Sequence, residues 1–150
     1  ILPEGFKTIE YFGNGPVENY QDRNYAAQAG IYKQSVNQQF YPYIRPQETG
    51  NKTGIRWFKI INNNGKGLLI QSDILLSMSA LHFYDSDLDD GDMKHQRHSG
   101  ELVPRKQTQI HIDYAQMGVG GINSWGTWPL EKYRLEYKNY EYKFIVKPLK

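Results

Sequence analysis

Ile55-Arg56-Trp57-Phe58-Lys59-Ile60-Ile61-Asn62-Asn63-Asn64-Gly65-Lys66-Gly67-Leu68-Leu69-Ile70-Gln71-Ser72 is the stretch that decides the fold class. Two runs rich in aliphatic and aromatic residues flank a polar turn. Asn-Gly between such runs is the strongest short-range hairpin signal, because both residues tolerate φ > 0. The reading is an antiparallel pair with strands at 55–61 and 67–72.

Working outward, period-2 alternation recurs and helical periodicity is nearly absent. In residues 107–114, Ile110, Ile112 and Tyr114 face one side, while Gln109, His111 and Asp113 face the other. Further strands are expected at 7–12, 27–36 and 75–83. Near the end, Tyr133, Leu135 and Tyr137 alternate with charged residues, and Tyr142, Phe144 and Val146 alternate with Lys143, Ile145 and Lys147. Lys138-Asn139-Tyr140-Glu141 reads as the turn joining those two runs into a hairpin. One helical turn is expected at Ser86-Asp87-Leu88-Asp89, with Ser86 and Asp89 approximating a capping box. Many short strands punctuated by Gly, Asn and Pro predict an all-β, antiparallel β-sandwich. No repeat or linker is visible, so a single domain over 1–150 is expected.

Bulk composition narrows the function classes. Lys+Arg 18 against Asp+Glu 16 leaves a net charge of +2, which makes no case for nucleic acid or an acidic membrane. With Cys 0, disulfides, thiol catalysis and Cys-bound zinc are excluded. No apolar run approaches the ~20 residues that span a bilayer as a helix. The start, Ile1-Leu2-Pro3-Glu4-Gly5, carries neither an initiating Met nor a signal peptide, and reads as the edge of a piece of something longer. The compartment stays open between the cytoplasm and periplasm of a bacterium.

Most candidate chemistry gives way to plainer readings. The run from Asp85 to Asp92 invites calcium, but an EF-hand loop needs Gly at its sixth position and Glu at its twelfth. Those positions hold Asp90 and Gln96. His95 and His98 stand three apart, yet no third zinc ligand is evident. Arg97 and His98 suit hydrogen bonding to a loop or a neighbouring domain. Glycoside hydrolysis needs a pair of carboxyl groups, and no pair stands out. Glu18 and Glu48 are the best isolated candidates, each equally suited to bracing its own loop. Asn51-Lys52-Thr53 is formally a glycosylation sequon.

One segment is different in kind. In Met117-Gly118-Val119-Gly120-Gly121-Ile122-Asn123-Ser124-Trp125-Gly126-Thr127-Trp128, four glycines surround two tryptophans. Glycine allows φ > 0 and close approach, and tryptophan offers a flat apolar face. Such a loop either presents an indole to a sugar ring or folds it back as a cap on the core.

Three ordered segments carry a family resemblance. Gly13-Asn14-Gly15-Pro16-Val17-Glu18-Asn19-Tyr20-Gln21-Asp22-Arg23 resembles the G-x-G-P-x-E-N-Y-x-D-R block of large β-galactosidases. Tyr43-Ile44-Arg45-Pro46-Gln47-Glu48-Thr49-Gly50-Asn51-Lys52-Thr53 resembles their Y-V-R-P-Q-E-N-G-N-R/K-T block. Residues 117–126 resemble their M-G-V-G-G-D-D-S-W-G block, and Arg97-His98 with Glu101-Leu102 fall in order between the last two. The chain is similar to the C-terminal, small-chain domain of glycoside hydrolase family 2 β-galactosidases, a supersandwich like galactose mutarotase.

The resemblance implies a division of labour. In the family both catalytic Glu residues lie in a separate TIM-barrel domain of the same polypeptide, so no catalytic residue is expected here. The parent's Mg and Na are implied to be bound mainly by other domains, with no metal or cofactor site in this chain. The whole enzyme, implied to be oligomeric, would hydrolyse terminal β-D-galactosides, and the isolated fragment would be inactive. The residue implied to contact the β-galactoside substrate is Trp125. Glu18, Asp22, Arg23, Arg45, Glu48, Arg97 and His98 are implied to brace loops or to line the domain interface. The chain departs from the pattern at Ile122 and Asn123, where the family has two Asp, and at Thr49, where it has Asn. Trp128 is an additional aromatic.

Other readings stay open at this stage. The chain could be a self-sufficient carbohydrate-binding β-sandwich with Trp125 and Trp128 as its platform, or a domain that only buttresses the barrel. Sugar epimerisation, suggested by the mutarotase-like fold, lacks an acid–base pair.

Overall fold

The computed structural model describes residues 1–92, 97–123 and 125–150. Its strands are β1 (Phe6–Gly15), β2 (Gln28–Ser35), β3 (Lys52–Asn62), β4 (Gly67–Leu81), β5 (Gln109–Asp113) and β6 (Ile145–Leu149). All described pairings are antiparallel. The described residues make one six-stranded sheet in the order β2-β1-β3-β4-β5, with β6 paired to β4.

The Asn-Gly hairpin is the joint between β3 and β4. Ile61 pairs with Gly67, and the turn closes through the Asn62 N–H donating to Lys66 O at 2.8 Å. Asn62 Oδ1 accepts the N–H groups of Asn64 and Lys66, and Gly65 takes φ +79°. The turn side chain therefore serves its own backbone, the usual reason for Asn at such sites.

Alternation decides which face is buried. Along β1, Ile9 and Tyr11 point inward, with Gly13 and Gly15 continuing the same face. Phe58 and Ile60 of β3 and Ile70, Leu76 and Met78 of β4 complete this core. A second cluster of Leu81, Phe83 and Leu88, with Phe40 and Leu102 against it, begins at the last residue of β4.

Two regions depart from the pairings that periodicity suggests. The expected strands at 67–72 and 75–83 are one strand, β4. Gln71-Ser72-Asp73 reads as a break, but the backbone stays extended while β4 changes neighbour. Residues 67–71 pair with β6, and residues 77–81 pair with β5. The hairpin expected at 133–146 does not form. Glu131–Tyr133 is a 3-10 turn, and β6 starts only at Ile145 and pairs with β4. The unpaired backbone edge of β4 is the stronger template. Pro148 is tolerated because β6 is an edge strand. Tyr142 instead bonds the sheet from outside it, donating its hydroxyl to Ile112 O at 2.7 Å.

The one-turn helix α1 (Asp85–Leu88) also starts two residues earlier than Ser86 at its N-cap would set it. Asp87, not Asp89, accepts the N–H at its start, from Tyr84 at 2.8 Å.

Candidate functional site

The first sequence block forms the link between the sheet and the glycine-rich loop. Leaving β1, the chain turns at Asn19, which is 1% exposed. The Asn19 side-chain amide donates to Asn14 O and Val17 O at 2.9 and 3.0 Å. Its Oδ1 accepts the Thr53 N–H at 3.0 Å and the Thr53 hydroxyl. Asn19 thereby locks the first block to the second, a role the sequence alone did not reveal. Asn51 is buried too and donates its amide to Asn19 O at 2.8 Å.

Glu18 sits at the centre of a polar cluster. Oε1 accepts from the Arg23 guanidinium and the Tyr43 hydroxyl. Oε2 accepts the Gly50 N–H at 2.8 Å and the Thr49 hydroxyl at 3.1 Å. Arg23 also donates to the Tyr43 hydroxyl at 2.8 Å. Burial opposes the charge on Glu18, but the bonds from Tyr43, Gly50 and Arg23 outweigh it and hold the carboxyl below its ordinary value. Thr49, which departs from the family pattern, is built into this cluster and accepts the Tyr41 N–H at 3.0 Å. Next to it Gly50 takes φ +79°, where a side chain is strained.

Beneath lies Lys52, 2% exposed, whose Nζ donates to Gly50 O at 3.1 Å. Burial lowers its pKa to about 8, with Glu18 pulling the other way. Only its place at the end of the second block could have drawn attention to it.

Asp22 reaches across to the third block. Its two oxygens accept the N–H groups of Val119 and Gly120 at 3.1 and 2.7 Å. A Cβ at Gly118 would lie 2.5 Å from Asp22 Oδ2, so glycine is what lets the loop approach. Beside it Gln21 donates to Gln116 O and, at 2.9 Å, to Tyr133 O. The loop is thus tied at its base. At its tip Asn123 Oδ1 accepts the Trp125 N–H at 2.9 Å, a local turn that asparagine forms as readily as aspartate. Gly126 follows with φ +89°. Trp125 is 90% exposed and stands clear of the core. Trp128 is 63% exposed, with the Arg134 guanidinium 5.7 Å from its ring centre.

The remaining candidates fall into separate clusters. Arg97 donates to Asp87 O at 3.2 Å and pairs with Asp90 at 3.6 Å. His98 Nδ1 lies 3.2 Å from Ile44 O, so this segment props the loop carrying the exposed Arg45. Glu48 keeps solvent contact. Partial desolvation of its carboxyl, together with Asp113 and Asp85, raises its pKa against the pull of His111 and a Gln116 hydrogen bond. His95 lies outside the described residues. Among those described, no three His, Asp or Glu side chains converge as a metal site.

The chain is similar to known proteins along nearly its whole length. The sequence pattern of the Beta galactosidase small chain family matches residues 1–146. The chain belongs to that family. A Beta-galactosidase of Priestia megaterium is 38% identical over 146 residues, 96% of this chain and 14% of that protein. A Beta-galactosidase of Lactobacillus delbrueckii subsp. bulgaricus is 34% identical over 149 residues, 99% of this chain and 14% of that protein. One of Pseudoalteromonas haloplanktis is 34% identical over 138 residues. The small-chain sequence described here spans about one seventh of the length of these relatives.

Proposed function

We propose that this chain is the single-domain, C-terminal part of a β-galactosidase that hydrolyses terminal β-D-galactosides. It supplies no catalytic carboxylate and lends Trp125 to the rim of an active site built mainly by a TIM-barrel domain of the same polypeptide. The observation that carries the reading is an indole 90% exposed at the tip of a loop whose base is bonded to Asp22. A pyranose has a face of C–H groups that complements the indole face. Covering ~50 Å² of it contributes on the order of 1 kcal/mol. That orients the substrate, while the barrel supplies the rate.

The test is Trp125→Ala in the intact enzyme, with galactoside binding measured at equilibrium. The expected loss is about fivefold, and unchanged affinity removes Trp125 from the site. The isolated 150-residue chain should not turn over a chromogenic β-galactoside; turnover that survives purification overturns the division of labour.

A second reading, a stand-alone carbohydrate-binding module, draws on the exposure of Trp128 as well as Trp125. It requires that galactose or lactose quench tryptophan fluorescence in the isolated chain. A flat titration rejects it.

A further inference from the structure

The excursion that carries Trp125 leaves the sheet after Asp113, the last residue of β5, and reaches the 3-10 turn Glu131–Tyr133. Residues 117–130 contain no charged side chain, so no ion pair formed within the loop fixes its course. Its glycines leave the backbone many conformations. Where the indole stands must therefore be set from outside.

Gln21 does this at the stem. A side-chain amide nitrogen carries two N–H donors. Those of Gln21 go to Gln116 O, where the loop begins, and to Tyr133 O at 2.9 Å, where it returns. Tyr133 O also accepts the Gly118 N–H at 2.7 Å. Gln116 is fixed in turn to the end of β5, its amide donating to Asp113 Oδ2 at 3.1 Å. One side chain of the first block thus clamps the two ends of the loop together and ties them to the sheet.

The clamp is passed outward in steps. Asp22 holds the backbone of residues 119 and 120. A Cβ on Gly121 would lie 2.5 Å from Thr127 O, so the chain meets itself there and closes a short tip. Inside that tip Asn123 Oδ1 takes the Trp125 N–H. Both bonds of the Gln21 amide go to the stem and neither to the tip. In the G-x-G-P-x-E-N-Y-x-D-R block the place of Gln21 is an unspecified one, so the block itself gives this residue no role.

We infer that Gln21 is a positioning residue for galactoside binding: by holding Gln116 to Tyr133 it sets where the Trp125 indole stands. This role rests on the contact proposed above between Trp125 and the substrate.

The experiment uses the intact enzyme. Equilibrium binding of methyl 1-thio-β-D-galactoside is measured, together with kcat and KM on a chromogenic β-galactoside. Gln21→Met keeps the length of the side chain and removes both donors. Affinity should weaken about threefold, with KM raised by a similar factor and kcat unchanged, as for binding lost equally from ground and transition states. Gln21→Glu, which sets an oxygen against the two carbonyls, should weaken it at least as much. In the Trp125→Ala background Gln21→Met should have no further effect, because its action passes through the indole. Loss of affinity in Trp125→Ala with none in Gln21→Met or Gln21→Glu overturns the inference alone. So does a loss in Gln21→Met that adds in full to that of Trp125→Ala, or a fall in kcat with KM unchanged. Unchanged affinity in Trp125→Ala overturns the substrate contact and this role together.

Discussion

The Asp22 carboxylate accepts the backbone N–H of Gly120 at 2.7 Å, joining two residues 98 positions apart. Its other oxygen takes the N–H of Val119. A single side chain of the first block thus anchors the base of the loop that ends in Trp125. Hydrogen bonds to a charged acceptor are stronger than neutral ones and lose more when cut.

Asp22→Ala is therefore expected to lower stability by about 2 kcal/mol. It should also raise amide exchange at Val119 and Gly120 above that of the sheet. Denaturant titration and hydrogen exchange read the two effects. Unchanged protection at those amides would show that the anchor is not needed.

Gly118→Ala should be costly for a related reason, since the added Cβ would meet Asp22 Oδ2 at 2.5 Å. Removing the carboxylate relieves that contact, while the one with Tyr133 Cβ at 2.9 Å remains. In a double-mutant cycle, Asp22→Ala and Gly118→Ala together should cost less than the sum of the two alone, with a coupling of about 1 kcal/mol. Simple additivity would reject the contact.

Glu18 makes acid stability a local property. Its folded pKa lies below the ordinary 4.5, so its contribution is full above that value and disappears as pH falls through the depressed one. Glu18→Gln should lower stability at neutral pH by about 2 kcal/mol and flatten the acid limb of the stability curve. Stability against pH, measured for both proteins, checks this. Parallel acid limbs would assign the acid sensitivity to other carboxylates.

Lys52 acts in the opposite pH range. Its folded pKa is about 8 against 10.5 when free, so the unfolded chain binds more protons between those values. Stability from this residue therefore rises with pH across that window, by roughly 3 kcal/mol at most. Ionisation of exposed tyrosines in the unfolded chain opposes it above about pH 10, because buried Tyr11 and Tyr20 hold raised pKa values in the fold. Lys52→Met should remove the rise between pH 8 and 10, which a comparison of unfolding midpoints detects. A rise that persists in the variant points elsewhere.

Trp125→Ala should leave stability within about 0.5 kcal/mol, because a side chain 90% exposed has little burial to lose. Denaturant midpoints of the two proteins test this. A large loss would mean that the indole packs on protein and is not free to meet a ligand.

Much of the sheet was legible in the chain. Alternation around Asn-Gly located β3 and β4, and β1, β2 and β5 followed from the same period. What misled was the C-terminal segment, where Tyr133, Leu135 and Tyr137 alternate as convincingly as a strand does. Alternation reports a half-buried extended chain and carries no information about its neighbour. The edge of β4 took residues 145–149, leaving 134–144 outside the sheet. Among the candidate site residues, Glu18, Asp22 and Arg23 stood in a readable block. Lys52 did not stand out, since a polar residue carries no sign of its burial.

The amino-acid order alone determined the antiparallel β class, the hairpin at Asn62–Lys66 and the family, because turn chemistry and short motifs act through neighbours in sequence. Only the tertiary structure decided that Asp22 holds the Trp125 loop, that Glu18 gathers Arg23, Tyr43 and Gly50, and that Lys52 is buried below them. Most of those depend on contacts across tens of residues, Asp22 to Gly120 and Glu18 to Tyr43 and Gly50 among them. Burial and hydrogen bonding there arise from the sheet bringing distant segments together, a geometry that spacing along the chain does not encode.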